Sequence, residues 1–270
     1  MKGYCPYGCK PLQKLNIALE NIAKTLFVDD CNCLVCGREL DSEPRSGLCM
    51  NCLDKLPLNN SEICRKCGRI LLNEADYCNT CQNNDRYFNV ARSVCVYKDD
   101  AVKLVHALKF GGHRYYAPYM ASMMTDKYLD EGFDCDCVIA VPLSAKRKRK
   151  RGYNQADLLA RNISRALKLD YLDKVVIKTK DNEEQAKLGH AKREENVKDV
   201  YSVCDKDAVK GRKILLVDDV LTTGATASEV ARVLMKAKAK SVSVLTFAST
   251  KYKVASENAA EEEDYEEQMV

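Results

Sequence analysis

Apolar runs alternate with amphipathic segments along the C-terminal two thirds of the chain. Short apolar runs predict β-strands at 91–97, 137–141, 175–178, 213–217 and 241–247. Between them, hydrophobic residues recur at helical spacing and predict helices over 100–110, 116–129, 154–167 and 226–238. This alternation predicts an α/β fold with a mostly parallel sheet that helices cover on both faces. A further amphipathic helix is predicted over 11–28, ahead of this region.

Two carboxylates follow the apolar run 214–217. After Asp218 and Asp219, a Thr-Thr-Gly-Ala-Thr turn leads into a predicted helix. Ligands of parallel sheets bind at the carboxyl ends of strands, and backbone N–H groups at a strand-to-helix turn bind phosphate. The carboxylates suit ribose hydroxyls or a hydrated Mg²⁺. The segment therefore predicts a site for a ribose 5-phosphate, with these phosphate-binding candidates: Thr222, Thr223, Gly224, Ala225 and Thr226.

Six consecutive cations at 146–151 follow another predicted strand end. A run of this kind is typical of a solvated loop or of a surface that binds a polynucleotide. Its place between a strand and a helix also suits a flexible loop that neutralises a pyrophosphate. The sequence leaves these three interpretations open. Under the pyrophosphate interpretation, the candidate contacts are Ser144, Arg147 and Arg151.

Two polar segments are predicted to lie outside the core. The stretch 181–197, with Gln185, Arg193 and Asn196, is interpreted as a lid over a site or as a surface loop. Residues 256–270 hold seven acidic side chains and no basic one, which predicts a disordered acidic tail. Subtracting those seven negative charges from the net charge of +4 leaves about +11 for the remainder. That basic excess is compatible with a nucleic-acid partner.

No apolar run approaches the roughly 18–20 residues needed to cross a membrane. The first residues contain no apolar core of a signal peptide. We therefore expect a cytoplasmic protein without membrane insertion. In that compartment a cysteine-rich repeat indicates metal binding, not disulfides.

Four Cys-x-x-Cys units lie within about fifty residues. Twelve residues separate the first two units and ten separate the last two. Each unit aims two sulfurs at one point, and four thiolates suit a closed tetrahedral zinc site. The pattern predicts two structural zinc ions, and it leaves open whether consecutive units pair or cross. The predicted ligands are Cys33, Cys36, Cys49, Cys52, Cys64, Cys67, Cys78 and Cys81.

The other cysteines are not predicted to bind metal. Cys5 and Cys9 lack partner ligands and are interpreted, with Cys31, as surplus thiols. Four more lie in or near predicted strands and are expected to be small core residues: Cys95, Cys135, Cys137 and Cys204. A redox role for the Cys-x-x-Cys units is disfavoured, because thioredoxin-like motifs occur singly in a βαβ context. The zinc region is interpreted either as a scaffold or as an interaction module.

The segment 213–226 resembles the binding motif for phosphoribosyl pyrophosphate (PRPP) of type I phosphoribosyltransferases. It has the apolar strand, the two acids, two further residues, and then Thr-Gly with a small residue and Thr. With the cysteine pattern, the chain resembles the ComF family over about residues 15–248. The other segments that carry this resemblance are Leu108–Phe110, Val141–Ser144, Arg151–Gln155, Gln185, Arg193 and Asn196. Tyr153 stands where the family usually has phenylalanine.

This resemblance implies a type I phosphoribosyltransferase fold with a small N-terminal zinc-ribbon region. The expected organisation is a helical segment at 1–30, a double zinc ribbon at 31–84, a phosphoribosyltransferase domain at 85–250 and the acidic tail at 251–270. The family is linked to DNA uptake in natural transformation, so other competence proteins are expected partners. Asp218 and Asp219 are the expected catalytic residues.

Three functions remain open at this stage. A transferase would bind Mg²⁺–PRPP and displace pyrophosphate from C1′ with an acceptor. A non-catalytic protein of competence would handle single-stranded DNA, with Tyr115, Tyr116 and Tyr153 stacking on bases. A regulator would sense PRPP and act through a protein partner.

Overall fold

The computed structural model of the protein describes residues 32–40, 44–60, 62–71, 74–83, 86–179 and 199–251. The helix predicted over 11–28, the polar stretch 181–197 and the acidic tail after residue 251 lie outside these ranges. Cys5, Cys9 and Cys31 also lie outside them. Among the helices that the structure describes, none combines the length and apolar character needed to span a bilayer.

Seven helices and seven strands follow one another in the described residues. The helices are α1 (Met50–Asp54), α2 (Asn79–Asn83), α3 (Asp99–Phe110), α4 (Tyr116–Asp130), α5 (Ala145–Arg151), α6 (Gln155–Leu167) and α7 (Ala225–Lys236). The strands are β1 (Val90–Val96), β2 (Cys137–Ala140), β3 (Asp170–Tyr171), β4 (Val176–Lys178), β5 (Tyr201–Val203), β6 (Lys213–Leu221) and β7 (Ser241–Ser249).

Five strands form one parallel sheet in the order β1-β7-β6-β2-β3. The central strand β6 is buried on both faces from Ile214 to Val217, as expected for an apolar run between two layers of helices. Strands β4 and β5 form a separate antiparallel pair beside the sheet. The predicted parallel α/β arrangement is therefore present.

Each face of the sheet has its own hydrophobic core. On one face, α3, α4 and α6 bury side chains that include Leu104, Met120 and Leu159. On the other face, α7 packs Val230 and Leu234 against β6 and β7, with β4 and β5 nearby. In α3 the buried residues recur three and four positions apart, so one stripe of this helix faces the sheet. The result is a three-layer α/β architecture.

The cysteine-rich region lies along the edge strand β1. Leu58 forms an antiparallel bridge with Cys95, and the Val96 N–H donates to the Pro57 carbonyl at 2.7 Å. The first two Cys-x-x-Cys units form the first cysteine group, which packs into the core of the α3 face. The last two units form the second cysteine group, which packs into the core of the α7 face. Since an unpaired edge strand invites pairing with other chains, this region also protects the sheet.

Gly68 shows how closely the second cysteine group approaches β1. Its φ of +69° is a left-handed conformation, and a Cβ atom there would lie 2.4 Å from the Ala91 carbonyl oxygen. Any side chain at this position would therefore push the second cysteine group away from β1. The Ala91 N–H donates to the Lys66 carbonyl at 2.7 Å, which fixes the same contact from the other side.

Several elements differ from the sequence-based expectations. β6 continues to Leu221, so Asp218 and Asp219 lie within the strand and do not follow it. The cationic run is helix α5, where a flexible loop was expected. The short strands β3 and β5 and the helices α1 and α2 were not predicted, because each has only two to five residues. Cys204 is exposed and does not belong to the core, unlike Cys95.

Candidate functional site

The chain reverses direction across the sheet between β2 and β6. From β2 the chain continues through α5 and α6 to the outer strand β3, whereas from β6 it continues through α7 to β7 on the other side. The carboxyl end of β2 lies beside Val217 of β6, directly before the acid pair, since the Val141 N–H donates to the Val217 carbonyl at 2.9 Å. Parallel α/β sheets bind ligands in the crevice at such a switch point.

Asp218 and Asp219 occupy this crevice in unequal surroundings. Asp219 is buried, and its Oδ2 lies 2.9 Å from the ammonium nitrogen of Lys109, which is itself largely buried. Asp218 is partly accessible, and its Oδ1 accepts the Asp219 backbone N–H at 2.9 Å. The strand therefore holds one carboxylate in a closed ion pair and leaves the other open to a ligand.

The two carboxyl groups titrate in opposite directions. Burial and the neighbouring charge of Asp219 raise the pKa of Asp218 well above its ordinary value. Burial also acts to raise the pKa of Asp219, but the charge of Lys109 and the hydrogen bond from Asp218 outweigh it, so that pKa is lowered. The opposite shifts follow from the unequal surroundings of the two groups, and a cation bound beside Asp218 would oppose the rise in its pKa.

The threonine turn follows directly and begins α7. Gly224 is the N-cap residue with a φ of +79°, a conformation that strains other residues. The Thr223 hydroxyl accepts the Ala225 N–H at 3.2 Å, while Thr222 and Thr226 remain partly accessible. The start of a twelve-residue helix and these hydroxyls are suited to an anion.

Helix α5 faces this turn from the end of β2. The Ser144 hydroxyl is buried and accepts the Arg147 N–H at 3.3 Å, so Ser144 caps the helix. Arg151 donates to Gln155 Oε1 at 3.1 Å and stacks over the Phe110 ring at 4.8 Å. Its charge also acts on Asp219. Arg151 thus belongs to the acid pair's surroundings, while the Ser144 hydroxyl is engaged in capping.

Lys109 and Tyr201 belong to the site and were not predicted as functional residues. Lys109 lies in a segment that carried the family resemblance, which was the available signal, but nothing in the sequence pairs it with Asp219. Tyr201 is buried on β5 beside Asp218, Arg147 and Thr226, and burial raises its pKa. It was missed because β5 is too short to be recognised from periodicity.

Hydrogen bonds hold these elements in register. The Asn154 side chain donates to the Val141 carbonyl at 2.9 Å and accepts the Ala156 N–H at 3.1 Å, so it ties the start of α6 to the end of β2. The hydroxyl of Tyr153 donates to the Leu108 carbonyl on α3. Because Lys109 is the next residue, this bond also helps to place the ammonium group beside Asp219.

The predicted aromatic surface is smaller than expected. Tyr153 is buried, with the Arg114 guanidinium 4.6 Å above its ring. The hydroxyl of Tyr116 donates to the Leu34 carbonyl at 2.9 Å, and its ring packs against the core that contains the first cysteine group. Only Tyr115 of the three predicted tyrosines is exposed. Phe110, at the end of α3, and His113, in the loop before α4, are also exposed and were not predicted to stack on bases.

The cysteines form two separate groups of four, each drawn from consecutive Cys-x-x-Cys units. Within each group all sulfurs lie within 4.8 Å of one another: Cys33, Cys36, Cys49 and Cys52; Cys64, Cys67, Cys78 and Cys81. A tetrahedron of sulfurs about 2.3 Å from a zinc ion places the sulfurs about 3.8 Å apart. The Cys36–Cys49 and Cys67–Cys78 sulfur pairs are each 3.8 Å apart. The donor set and the spacing fit structural zinc.

The thiols of each group influence one another's titration. Burial acts to raise the pKa of Cys33, but hydrogen bonds from the backbone N–H groups of Cys36, Cys49 and Val35 outweigh it and lower this pKa to about 6. Burial and the neighbouring sulfurs raise the pKa of Cys52 to about 12. A divalent cation would favour the thiolate form of all four sulfurs, which is the usual chemistry of a tetrathiolate site.

The carboxylates also offer the right donors for magnesium. Mg²⁺ prefers oxygen ligands, keeps several waters and binds through one or two carboxylates together with substrate phosphates. Asp218 supplies an accessible carboxylate at the mouth of the crevice. The residues present therefore fit a hydrated Mg²⁺ that arrives with a phosphorylated ligand.

Two domain families match the chain. A double zinc ribbon domain matches residues 23–82, and a phosphoribosyl transferase domain matches residues 149–268. The first covers both cysteine groups, and the second begins within α5 and covers the acid pair and the threonine turn. With the parallel sheet, these matches confirm the predicted fold, a type I phosphoribosyltransferase fold with an N-terminal zinc-ribbon region.

Three curated relatives match most of the chain. Competence protein F of Haemophilus influenzae is 28% identical over 206 residues, which cover 74% of this chain and 89% of the relative. The DNA utilization protein YhgH of Escherichia coli is 28% identical over 217 residues, with 73% and 95% covered. Competence protein ComFC of Bacillus subtilis is 28% identical over 235 residues, with 79% and 93% covered. These homologues, together with both domains in the expected order, confirm the predicted resemblance of the chain to the ComF family.

Proposed function

We propose that this protein is a phosphoribosyltransferase that binds Mg²⁺–PRPP at the crevice between β2 and β6. The observation that carries this proposal is the place of Asp218 and Asp219 on β6: the threonine turn follows them, and β2, which leads into α5, pairs with β6 beside them. The charges of both carboxylates act on Arg151 at the end of α5. The turn suits a 5-phosphate, the carboxylates suit the ribose hydroxyls, and the cations of α5 suit a pyrophosphate. These three chemistries together describe PRPP.

The proposed reaction exchanges one bond at C1′. The bond between C1′ and the pyrophosphate oxygen breaks, the acceptor forms a new bond to C1′, and the proton of the acceptor passes to solvent. The carboxylate charge of Asp218 and Asp219 favours the positive charge that develops on the ribose, and Arg147 and Arg151 favour the departing pyrophosphate. Mg²⁺, when bound, neutralises phosphate charge. The turn residues Thr222–Thr226 hold the 5-phosphate, so that the ribose keeps its orientation.

Binding of PRPP can be tested by thermal unfolding of the full-length chain with Mg²⁺. A ligand that binds the folded state stabilises it by about 2.7 kcal/mol at 100 times its dissociation constant, and Tm rises accordingly. We expect the double variant Asp218→Asn, Asp219→Asn to lose this rise, because the neutral amides no longer hold the diol or Mg²⁺. The control is Asp205→Asn with Asp207→Asn, which removes the same charge from exposed positions outside the site.

A PRPP-induced shift that survives in the Asp218, Asp219 double variant would contradict the site assignment. Turnover needs a second measurement, the release of pyrophosphate from PRPP in the presence of nucleobases and amines as acceptors. Release that requires one acceptor, and that the double variant lacks, supports the transferase. Binding without release for every acceptor favours a PRPP-sensing regulator.

Handling of single-stranded DNA is the second candidate function. Helix α5 exposes Lys148, Arg149 and Lys150 to solvent, and Tyr115 and Phe110 are exposed near its end. Cations that follow a backbone, together with aromatic rings, are typical of surfaces that bind single strands. The name of the Escherichia coli relative, a DNA utilization protein, and the competence proteins among the homologues point in the same direction. We propose that this function is exercised in the cytoplasm, where thiolate zinc sites persist.

A further inference from the structure

The segment Arg86–Phe88 connects the second cysteine group to the sheet and touches the threonine turn. The Arg86 guanidinium donates from Nη2 to the Thr223 carbonyl at 3.1 Å. The Tyr87 N–H donates to the Ser228 hydroxyl on α7 at 3.3 Å. A methyl group placed on Gly224 would lie 3.9 Å from the Phe88 ring, so this ring borders the turn. Three successive residues thus contact the threonine turn and the first turn of α7.

The bond from Arg86 fixes the orientation of one peptide unit. The Thr223 carbonyl and the Gly224 N–H belong to the same planar trans peptide, so they point in opposite directions. When the carbonyl is held towards Arg86, the Gly224 N–H is turned away from it. Arg86 and Thr223 are both buried, with 7% and 5% of their surface exposed, so water competes little for this bond. A charged donor makes such a bond stronger than a neutral one.

We propose that Arg86 is a positioning residue that aims the Gly224 N–H at the 5-phosphate of the ligand. This inference rests on the proposed binding of PRPP. Cys81, the last ligand of the second cysteine group, precedes Arg86 by only five residues. The second zinc ribbon is therefore a structural part of the ribose-phosphate site, and it acts on the ligand through the backbone of the turn.

The test separates the two ends of the ligand. Ribose 5-phosphate and pyrophosphate are titrated separately by calorimetry into the full-length, zinc-loaded protein with Mg²⁺. Arg86→Gln removes the charged donor, and we expect affinity for ribose 5-phosphate to fall roughly tenfold to a hundredfold. Affinity for pyrophosphate should be unchanged, because α5 is the proposed contact for that group. The zinc content should also stay at that of the unmodified protein.

Arg92→Gln provides a matched control. Arg92 donates to the Arg65 and Ala91 carbonyls at 3.1 and 2.8 Å and pairs with Glu131 at 2.7 Å, so it also ties the second cysteine group to the sheet. Within the described part of the chain, these contacts of Arg92 lie outside the threonine turn. We expect Arg92→Gln to leave ribose 5-phosphate binding unchanged even if it lowers Tm.

Each outcome decides a specific point. Equal ribose 5-phosphate affinity in Arg86→Gln and the unmodified protein overturns the positioning role, as does an equal loss in Arg92→Gln. If Arg86→Gln does not fold, Arg86→Lys carries the test: it keeps the charge and loses the planar donor group, so an affinity below that of the unmodified protein is expected. If the unmodified protein binds neither ribose 5-phosphate nor PRPP, the proposed function itself fails.

Discussion

Asp218 and Asp219 are adjacent in sequence but have opposite roles in the folded protein. A strand places successive side chains on opposite faces, so one carboxylate meets Lys109 and the other meets the crevice. Removing one partner of a buried ion pair costs about 3–5 kcal/mol, so Lys109 and Asp219 depend on each other. The charge of Lys109 also acts to lower the pKa of Asp218, but it does not offset burial and the neighbouring charge of Asp219, so this pKa is raised.

At this scale we predict that Asp218→Asn stabilises the ligand-free protein while it impairs PRPP binding. An amide removes the buried negative charge beside Asp219, and sites of this kind commonly gain about 1 kcal/mol when function is sacrificed. Such a gain raises Tm by roughly 2–4 °C for a domain of this size. Asp219→Asn is the matched variant and should lower Tm, because it leaves Lys109 buried without its partner.

The pH dependence of that gain follows from the raised pKa of Asp218. Below its ordinary value of 3.8 the carboxyl group is protonated in both the folded and unfolded states, so it makes no difference. Above that value the unfolded chain loses the proton first, and the free energy of unfolding falls as pH rises towards the folded-state pKa. Melting curves between pH 4 and pH 8 should therefore show the advantage of Asp218→Asn widening with pH. A constant or shrinking advantage would contradict the assignment.

Helix α5 is the element that differs most from the sequence-based expectation, which was a flexible or solvated loop. Six like charges disfavour a helix, but lysine and arginine have good helix propensity, Ser144 caps the first turn, and cations in the last turn suit the helix dipole. The cations of this helix have different surroundings. Arg151 turns towards Phe110 and Gln155, whereas Lys148, Arg149 and Lys150 are exposed.

At the scale of this element, we predict that replacing Lys148, Arg149 and Lys150 with alanine weakens single-stranded DNA binding and spares PRPP binding. Alanine preserves the helix, and Ser144, Arg147 and Arg151 remain in place. Each phosphate contact on a single strand contributes about 0.7 to the salt slope, so this slope should decrease by up to about 2. Fluorescence anisotropy of a labelled oligonucleotide at several salt concentrations measures both quantities.

The matched control for the triple variant of α5 removes three positive charges from another surface. Lys210, Lys236 and Lys240 are exposed near the opposite end of the sheet, where α7 ends and β6 and β7 begin. Their replacement with alanine should leave the salt slope near that of the unmodified protein. Equal effects of the two triple variants would show that net charge, not the helix, governs binding.

On the scale of the whole molecule, the zinc ribbons and the sheet share their hydrophobic cores. Cys33, Cys52 and Leu48 are buried with side chains of α3 and α4, while Cys64 and Cys67 are buried with side chains of β1 and α7. The ribbons thus contact both faces of the sheet and its edge strand. We infer that metal binding supports the entire described part of the chain and not the ribbons alone.

Accordingly, we predict about two zinc ions per chain and one cooperative unfolding transition. Cys64→Ser should reduce the zinc content to about one and lower the stability by about 4 kcal/mol or more, since loss of a structural metal is among the most destabilising single changes. Cys204→Ser, at an exposed cysteine outside both groups, should change neither quantity. Elemental analysis and calorimetry provide the two measurements. Fewer than one zinc per chain, or a sheet that melts unchanged in Cys64→Ser, would contradict this view.

Periodicity and spacing in the sequence were sufficient for the main elements and for the kinds of chemistry. The apolar runs predicted β1, β2, β6 and β7 within a few residues, because strands that helices cover on both faces are rich in hydrophobic side chains. The Cys-x-x-Cys units predicted tetrathiolate sites, because two residues between cysteines already bring two sulfurs together. Asp218, Asp219 and the threonine turn could be predicted as a candidate ligand site for a similar reason, since these residues are contiguous.

Tertiary structure decided the contacts between residues far apart in the chain. Lys109 and Asp219 are 110 positions apart and Arg86 and Thr223 are 137 apart, so no local pattern could pair them. The topology of the sheet decided that β2 and β6 are neighbours, and therefore that α5 faces the acid pair. Local interactions are encoded over a few residues and are visible in the sequence, whereas the partners of a buried charge are fixed only when distant elements pack together.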